Sequence, residues 1–418
     1  MGSLGGHMSH LWEDLDLTFG DINEIFYQAC TGNLRATEKF DGINLHFRVD
    51  ASGDLRFSTS GKHRDVGGLT QAQFSKLMEN HPAQQTFVDG AEALHRIVTR
   101  SFWPFGFSGR NWINCDLINK HRPMTLDYDE CAIVMHGVRN FQDYSGSLSE
   151  SFNRYADDCA TYSVSVNGNE WRVLPPTLVE LKDLRGEGIL SNFESSLSKI
   201  MNASACNYDS TLKDFLRLNL KNGLINKLRI SESRKNQLLS HILREGNTSL
   251  VKIKKGLPPS IAKQVSEMGS RKNRMRIIGE AMLPLEIVVT YTGAQVLENV
   301  SSVLIEDSTR QKENLRDAVH AAVILVETSQ DEYARDRIQM IQKYVDKFEK
   351  CGSLTSSLEG IVFESGNNTY KITGTFAPIN HILGIPRYGR GKIPPVGSES
   401  SLNEIVSEIQ LIKAMTKI

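Results

Sequence analysis

A chain of 418 residues is long enough for two or three domains. Its 40% hydrophobic and 23% charged residues exclude a disordered or low-complexity polymer, and no apolar run reads as the roughly 20 residues of a membrane span. A net charge of −1 says nothing by itself for or against a polyanionic partner, but it conceals a strong local asymmetry.

Met1–Met8 (MGSLGGHM) reads as an expression leader, with Met8 as the natural start. Residues 9–140 read as the first part of a mixed α/β domain. Leu45, Phe47 and Val49 alternate with His46 and Arg48, the period of a strand, and Ser52-Gly53-Asp54 turns the chain into a second strand over Leu55–Thr59. Trp112–Ile118 and Cys131–Val138 are short apolar runs that read as buried strands.

Residues 141–300 read differently, as a mainly helical insertion. A hairpin over Tyr162–Val173 is expected to turn at Asn167-Gly168. Pro175-Pro176 and Pro258-Pro259 break the chain. Between Lys213 and Arg276 lie 16 Lys or Arg and four Asp or Glu, so this span carries +12 while the rest of the chain carries −13. A solvated helical surface could hold such charges, but a segregated basic segment is the electrostatic footprint of a phosphate-backbone partner. Lys252, Lys254, Lys255, Arg271, Lys272, Arg274 and Arg276 are its candidate contacts.

Residues 301–392 read as the second part of the α/β domain. Helical spacing places Tyr333, Ile338, Ile341, Val345 and Phe348 on one face. A strand over Glu359–Glu364 turns at Gly366-Asn367-Asn368 and pairs back over Thr369–Thr373. Arg387, Arg390 and Lys392 form a smaller basic patch beside Tyr388, suited to gripping phosphates or stacking a base, although a plain loop would look the same. Residues 393–418 hold an amphipathic C-terminal helix over Leu402–Met415, with a capping box at Ser401–Glu404. Cys30, Cys115, Cys131, Cys159, Cys206 and Cys351 form no C-x-x-C pair, which argues against a zinc site and fits buried thiols in a reducing cytoplasm.

The segment that carries chemistry is Glu38-Lys39-Phe40-Asp41-Gly42-Ile43-Asn44. A lysine attacks phosphorus only as the free amine, and with an ordinary pKa near 10.4 only about one in a thousand is neutral near pH 7.4. An attacking Lys39 is therefore expected to be buried or crowded by cations that lower its pKa. Gly42 would let the backbone approach a ligand, and Asp41 and Glu38 could accept hydrogen bonds from a sugar or base.

This string resembles the K-x-D-G nucleotidyl-acceptor motif of the ATP-dependent polynucleotide ligase and mRNA-capping superfamily. Three further segments resemble its later motifs in the same order. Asn114-Cys115-Asp116-Leu117-Ile118 looks like the third motif. Glu359-Gly360-Ile361-Val362-Phe363 looks like E-G followed by two apolar residues, and Tyr370-Lys371-Ile372-Thr373 looks like K-x-K. The resemblance covers residues 17–140 and about 310–392.

The resemblance implies an α+β fold: an antiparallel-sheet nucleotidyltransferase (adenylation) domain, here with a large helical insertion. Only about 45 residues follow Thr373, so no C-terminal OB domain is expected. It implies a lysyl–AMP at Lys39, with Glu38 reading adenine and Asp41, Gly42 and Asn44 framing the ribose. Asp116 and Glu359 would hold Mg²⁺, Ile361 would line the base, and Lys371 would contact the α-phosphate. The cofactors implied are ATP and Mg²⁺. Departures are visible as well. Asp116 replaces a glutamate and Thr373 a lysine. Ser58–Lys62 lacks an arginine, for which Lys62 or Arg64 would substitute. His136-Gly137 stands where an aromatic and an acid are common, and His136 there reads as a core histidine satisfied by a hydrogen bond.

The expected function is an ATP-dependent RNA ligase of the phage type that seals 5′-phosphate and 3′-hydroxyl ends. It would act in a cytoplasm, that of a phage-infected bacterium included, with no membrane partner; Asn44 favours RNA over DNA. The alternatives are a DNA ligase using the basic insertion as a clamp, a capping guanylyltransferase, an enzyme adenylylating another acceptor, and a nucleic-acid-binding protein with an inactive nucleotide pocket. Oligomeric state is not legible.

Overall fold

In a computed structural model, the fold is described for residues 8–106, 111–140, 147–245, 248–328, 344–351, 354–366 and 368–388. It mixes helices with predominantly antiparallel sheets. The chain divides into two compact units. One comprises Met1–Met8, Arg35–Glu180 and Leu297–Ile418, and the other Ser9–Leu34 and Leu181–Val296.

Ten strands of the first unit are numbered in chain order: β1 Ala36–Lys39, β2 Ile43–Val49, β3 Leu55–Ser58, β4 Asn111–Ile118, β5 Cys131–Asn140, β6 Ser163–Val166, β7 Asn169–Leu174, β8 Leu178–Val179, β9 Gly360–Ser365 and β10 Asn368–Ile372. They form two sheets. One contains the run β10-β9-β1-β8, all antiparallel; the other has the order β3-β2-β4-β5-β7-β6, in which only β5 and β7 run parallel. The parallel pair needs a crossover, and helix Ser147–Ala160 supplies it.

Alternation explains the core. Leu45, Phe47, Ile113, Cys115, Leu117, Ile133 and Met135 face helices Gln84–Val98 and Ser147–Ala160, meeting Ala91, Leu94, Phe152 and Tyr155. Ile118, Ala132 and Val134 face the other way, into a second core with Phe40, Tyr128, Leu304, Leu315, Phe376 and Ile379. Phe40 belongs to the three-residue link between β1 and β2, so the chain passes from one sheet to the other at the K-x-D-G string.

Several expected elements are present. The first hairpin joins β2 to β3, and the second turns at Asn167-Gly168, where φ is 50° and 79°. All six cysteines are buried and free. Val345 and Phe348 are buried, whereas Tyr333, Ile338, Ile341, Arg390, Lys392 and the C-terminal helix lie outside the described residues. Arg387 lies in helix Phe376–Tyr388 rather than in a loop.

The division of the chain differs from expectation. The first unit continues past residue 140 to Glu180, because β7 extends the sheet beside β5 and β8 pairs with β1. Ser9–Leu34, expected in the α/β part, groups with Leu181–Val296. There Phe19 packs edge-on against Phe215, with ring centroids 5.5 Å apart, and Phe26 packs on Phe193 at 4.4 Å. Capping boxes start two of this unit's helices, Thr18 with Asp21 and Thr211 with Asp214. Pro259 opens helix Pro259–Gly269 at its first position.

Helix Arg271–Glu298 bears on the expectation that no apolar run spans a membrane. By length and composition alone, its stretch Asn273–Glu298 is apolar enough to cross a membrane. Glu280, Pro284 and Glu286 break the apolar letters into shorter runs. In the fold Ile277, Met282, Leu285 and Val289 are buried.

Candidate active site

Lys39 is the last residue of β1. Its ladder partner on β9 is Gly360, and its Nζ lies 2.6 Å from Oε1 of Glu359, with both side chains 15% exposed. Thr37, Val362 and Lys371 form the next rung but one, and cross-strand partners share a face. Lys371 therefore stands on the Lys39 side of the sheet. Gly360 is obligatory here: a Cβ would lie 2.3 Å from the Ile372 carbonyl oxygen and 2.9 Å from Thr373 Cα, where the chain leaves β10.

The link after Lys39 is clamped. The Asp41 carboxylate accepts from the backbone N–H groups of Thr125 and Leu126, and the Asp41 N–H donates to Tyr128 Oη at 2.7 Å. Gly42 makes its close approach to a neighbouring strand; a Cβ would lie 2.7 Å from Cβ of Asp116. That contact brings Asp116 beside the link. Asn44 and Asp116 are ladder partners, and Asn44 Nδ2 lies 3.2 Å from Asp116 Oδ1 and 2.6 Å from Asn114 Oδ1. His136 Nε2 is 2.9 Å from Asp116 Oδ2.

The electrostatics reverse one expectation. Burial alone would lower the Lys39 pKa, but Glu359, Asp116 and Asp41 outweigh it and raise it. In the ligand-free protein this amine is charged and paired, not neutral, because carboxylates surround it instead of cations. Glu359 is pushed up to about 7, chiefly by burial and then by Asp41 and Asp116, against the pull of Lys39. Burial would also raise Asp116, yet His136, Lys39 and the Asn44 hydrogen bond hold it below the usual range.

Comparison of the chain with family models, curated proteins and solved structures returns no match.

Lys39, Asp116, Glu359, Asn44 and Gly42 are thus brought together, with Lys371 on the same sheet face. Glu38 and Ile361 are not on that face, since alternation turns this rung to the opposite side. There Glu38 accepts from Ser302 Oγ at 2.5 Å and from the Val303 N–H at 2.9 Å, and burial pushes its carboxyl up to about 7. Ile361 is fully buried. Lys62 is exposed on the short helix Gly61–Asp65 after the edge strand β3, with β2 between that strand and β4. Thr373 is 6% exposed, so the place of the second lysine is filled by a buried residue.

Sequence reasoning did not find Ser302, Thr125, Tyr128 or Asn114. Of these only Asn114 lay inside a segment already singled out.

Among the described residues, no group of three or more His, Cys, Asp or Glu could by itself hold a metal ion. Asp116 and Glu359 nevertheless offer hard oxygen donors, and Mg²⁺ is commonly held by one or two carboxylates, with water and substrate phosphate completing its shell. The donor set fits that cation.

The candidate contacts between Lys252 and Arg276 fall in the helical unit, whereas Arg387 belongs to the first unit. Lys252, Lys255, Arg271 and Arg276 are exposed, Lys254 and Arg274 half-buried. Arg276 pairs with Glu280 at 2.7 Å. Burial, then Arg244 and Arg271, lowers the Arg274 pKa, which marks a crowding of positive charge. Lys272 lies in the first turn of helix Arg271–Glu298.

Proposed function

We propose that the protein is an ATP-dependent covalent nucleotidyltransferase that acts through Lys39, in an adenylation-type domain, as the first step of RNA end sealing. The observation that carries this reading is the Lys39–Glu359 contact at 2.6 Å, with Asp116 close enough to influence the same amine. A lysine only 15% exposed, with one carboxylate just before β9 of its own sheet and a second on β4 of the other sheet, supplies the groups that attack on a nucleoside triphosphate would use.

In this reading the Lys39 Nζ lone pair attacks the α-phosphorus of ATP. An N–P bond forms, the P–O bond to the β-phosphate breaks, and pyrophosphate leaves with the bonding electrons. The amine proton leaves to solvent, and Glu359, already against Nζ, keeps the amine aimed. Lys371 supplies charge to the phosphate oxygens. The AMP then passes to a 5′-phosphate end, and a 3′-hydroxyl displaces it.

Three carboxylates facing one ammonium leave the site with surplus negative charge, which repels a free triphosphate. A divalent cation at Asp116 and Glu359 would cancel the field that keeps the proton on Lys39. The basic helices would hold the strand through its phosphates, independently of the chemical step.

The test is incubation with α-labelled ATP or GTP and Mg²⁺ followed by a denaturing gel. Label from ATP that disappears in Lys39→Ala supports the reading. Label from GTP instead points to a capping guanylyltransferase, and no label from either points to a binding module with an inactive pocket. Nicked RNA, nicked DNA and single-stranded RNA then separate RNA ligase from a DNA ligase that clamps with its helical unit.

A further inference from the structure

Asp116 is one methylene shorter than the glutamate of the motif it resembles, so its carboxylate reaches less far and its direction matters more. The sheet provides an irregularity at that point. β4 and β5 pair Asn114 with Gly137 but Cys115 with Met135, so His136 is the extra, unpaired residue of a β-bulge. A bulge re-aims the side chain of its extra residue. Here it brings His136 Nε2 to 2.9 Å from Asp116 Oδ2, while Asn44 takes Oδ1. Burial does not force this bond, because the His136 side chain is 22% exposed and water could satisfy it. The Asp116 side chain is the more enclosed of the two, at 12%.

We propose that His136 is a positioning residue: with Asn44 it fixes both oxygens of Asp116, so that this shorter carboxylate can serve as a metal-supporting group beside Lys39. The inference rests on the nucleotidyl-transfer reading and adds a residue to it. Partners that orient a metal-bound carboxylate are typically worth about 10–100-fold in metal affinity or activity.

The experiment compares full-length wild type, His136→Leu and His136→Gln. Leucine removes the donor and keeps bulk; glutamine restores an N–H at a similar reach. One readout is binding of Mn²⁺ alone to the nucleotide-free protein, followed by electron paramagnetic resonance at fixed pH. The other is the Mg²⁺ concentration for half-maximal labelling of Lys39. His136→Leu is expected to weaken Mn²⁺ binding and raise the Mg²⁺ requirement by about 10–100-fold at unchanged melting temperature. His136→Gln is expected to recover most of both. Wild-type Mn²⁺ binding in His136→Leu, or equal impairment in the two variants, overturns the proposal. If the wild type takes no label, the nucleotidyl-transfer reading fails, and the Mn²⁺ titration still decides whether His136 serves Asp116.

Discussion

Lys39 Nζ and Glu359 Oε1 meet at 2.6 Å, and the rung that joins Lys39 to Gly360 sets their approach. The pair lies where one sheet hands the chain to the other, and Asp116 and Asp41 share its field. Their common enclosure makes each partner's ionisation depend on the other, and two of the predictions below turn on that dependence.

Removing the amine should expose the cost of the buried acid. In Lys39→Met, Glu359 loses its cation while remaining enclosed, and breaking a buried pair in this way costs about 3 kcal/mol. The Glu359 pKa is already raised to about 7 from an ordinary 4.5, and loss of Lys39 raises it further. A raised folded-state pKa means that stability is fully present below pH 4.5 and is lost as pH rises through the folded value. The melting temperature of Lys39→Met relative to wild type should therefore be clearly lower at pH 8.5 than at pH 5. Equal deficits at both pH values would refute this account.

The converse change frees the amine. Glu359 heads the carboxylates that hold the proton on Lys39, so Glu359→Gln should move the Lys39 titration to lower pH. The rate of acylation at Lys39 in nucleotide-free protein, followed by peptide mass spectrometry across pH, reports its midpoint. An unchanged midpoint would show that the contact does not control the amine. Wild-type labelling by ATP should also climb with pH, since the reactive form is the deprotonated one.

Two glycines are held by space, not by turn conformation. Gly42→Ala drives a methyl toward Asp116 Cβ at 2.7 Å, and Gly360→Ala drives one toward the Ile372 carbonyl at 2.3 Å. Each should cost about 1–3 kcal/mol in denaturant unfolding. Gly137→Ala is the control: beyond its own chain neighbours no atom lies within 4 Å of its added carbon, so its midpoint should stay close to wild type.

Charge removal in the helical unit should separate binding from chemistry. The combined change of Lys252, Lys254 and Lys255 to alanine should weaken RNA binding and flatten its log–log salt slope by about 2 for a single strand. Labelling of Lys39 should be unaffected. A loss of labelling would show that the basic helices serve the nucleotide as well as the strand.

The sequence made legible whatever depends on local spacing. Alternation at Leu45, Phe47 and Val49 marked β2, Asn167-Gly168 marked a hairpin, and the four motif-like segments supplied Lys39, Asp116, Glu359 and Lys371. It was silent where a residue's role depends on a partner far along the chain. Glu38 and Lys39 are neighbours in sequence, yet the pleat turns one to Ser302 and the other to Glu359. The assignment of Phe19 and Phe26 to the helical unit rests on Phe215 and Phe193, which no local period announces. The expected depression of the Lys39 pKa failed for a related reason: burial does pull it down, but the three carboxylates that converge there, in place of cations, outweigh it.

The ladder around β1 has one more consequence. On one edge its partner is Leu178–Val179, and on the other Gly360–Phe363. During synthesis Lys39 leaves the ribosome before either neighbour of its strand. One edge closes only after Val179 has emerged, and the second waits for Gly360–Phe363, more than 300 residues after Lys39. Nascent chains arrested before residue 360 should therefore carry Lys39 unprotected from modifying reagents, and emergence of Gly360–Phe363 should be the event that shelters it.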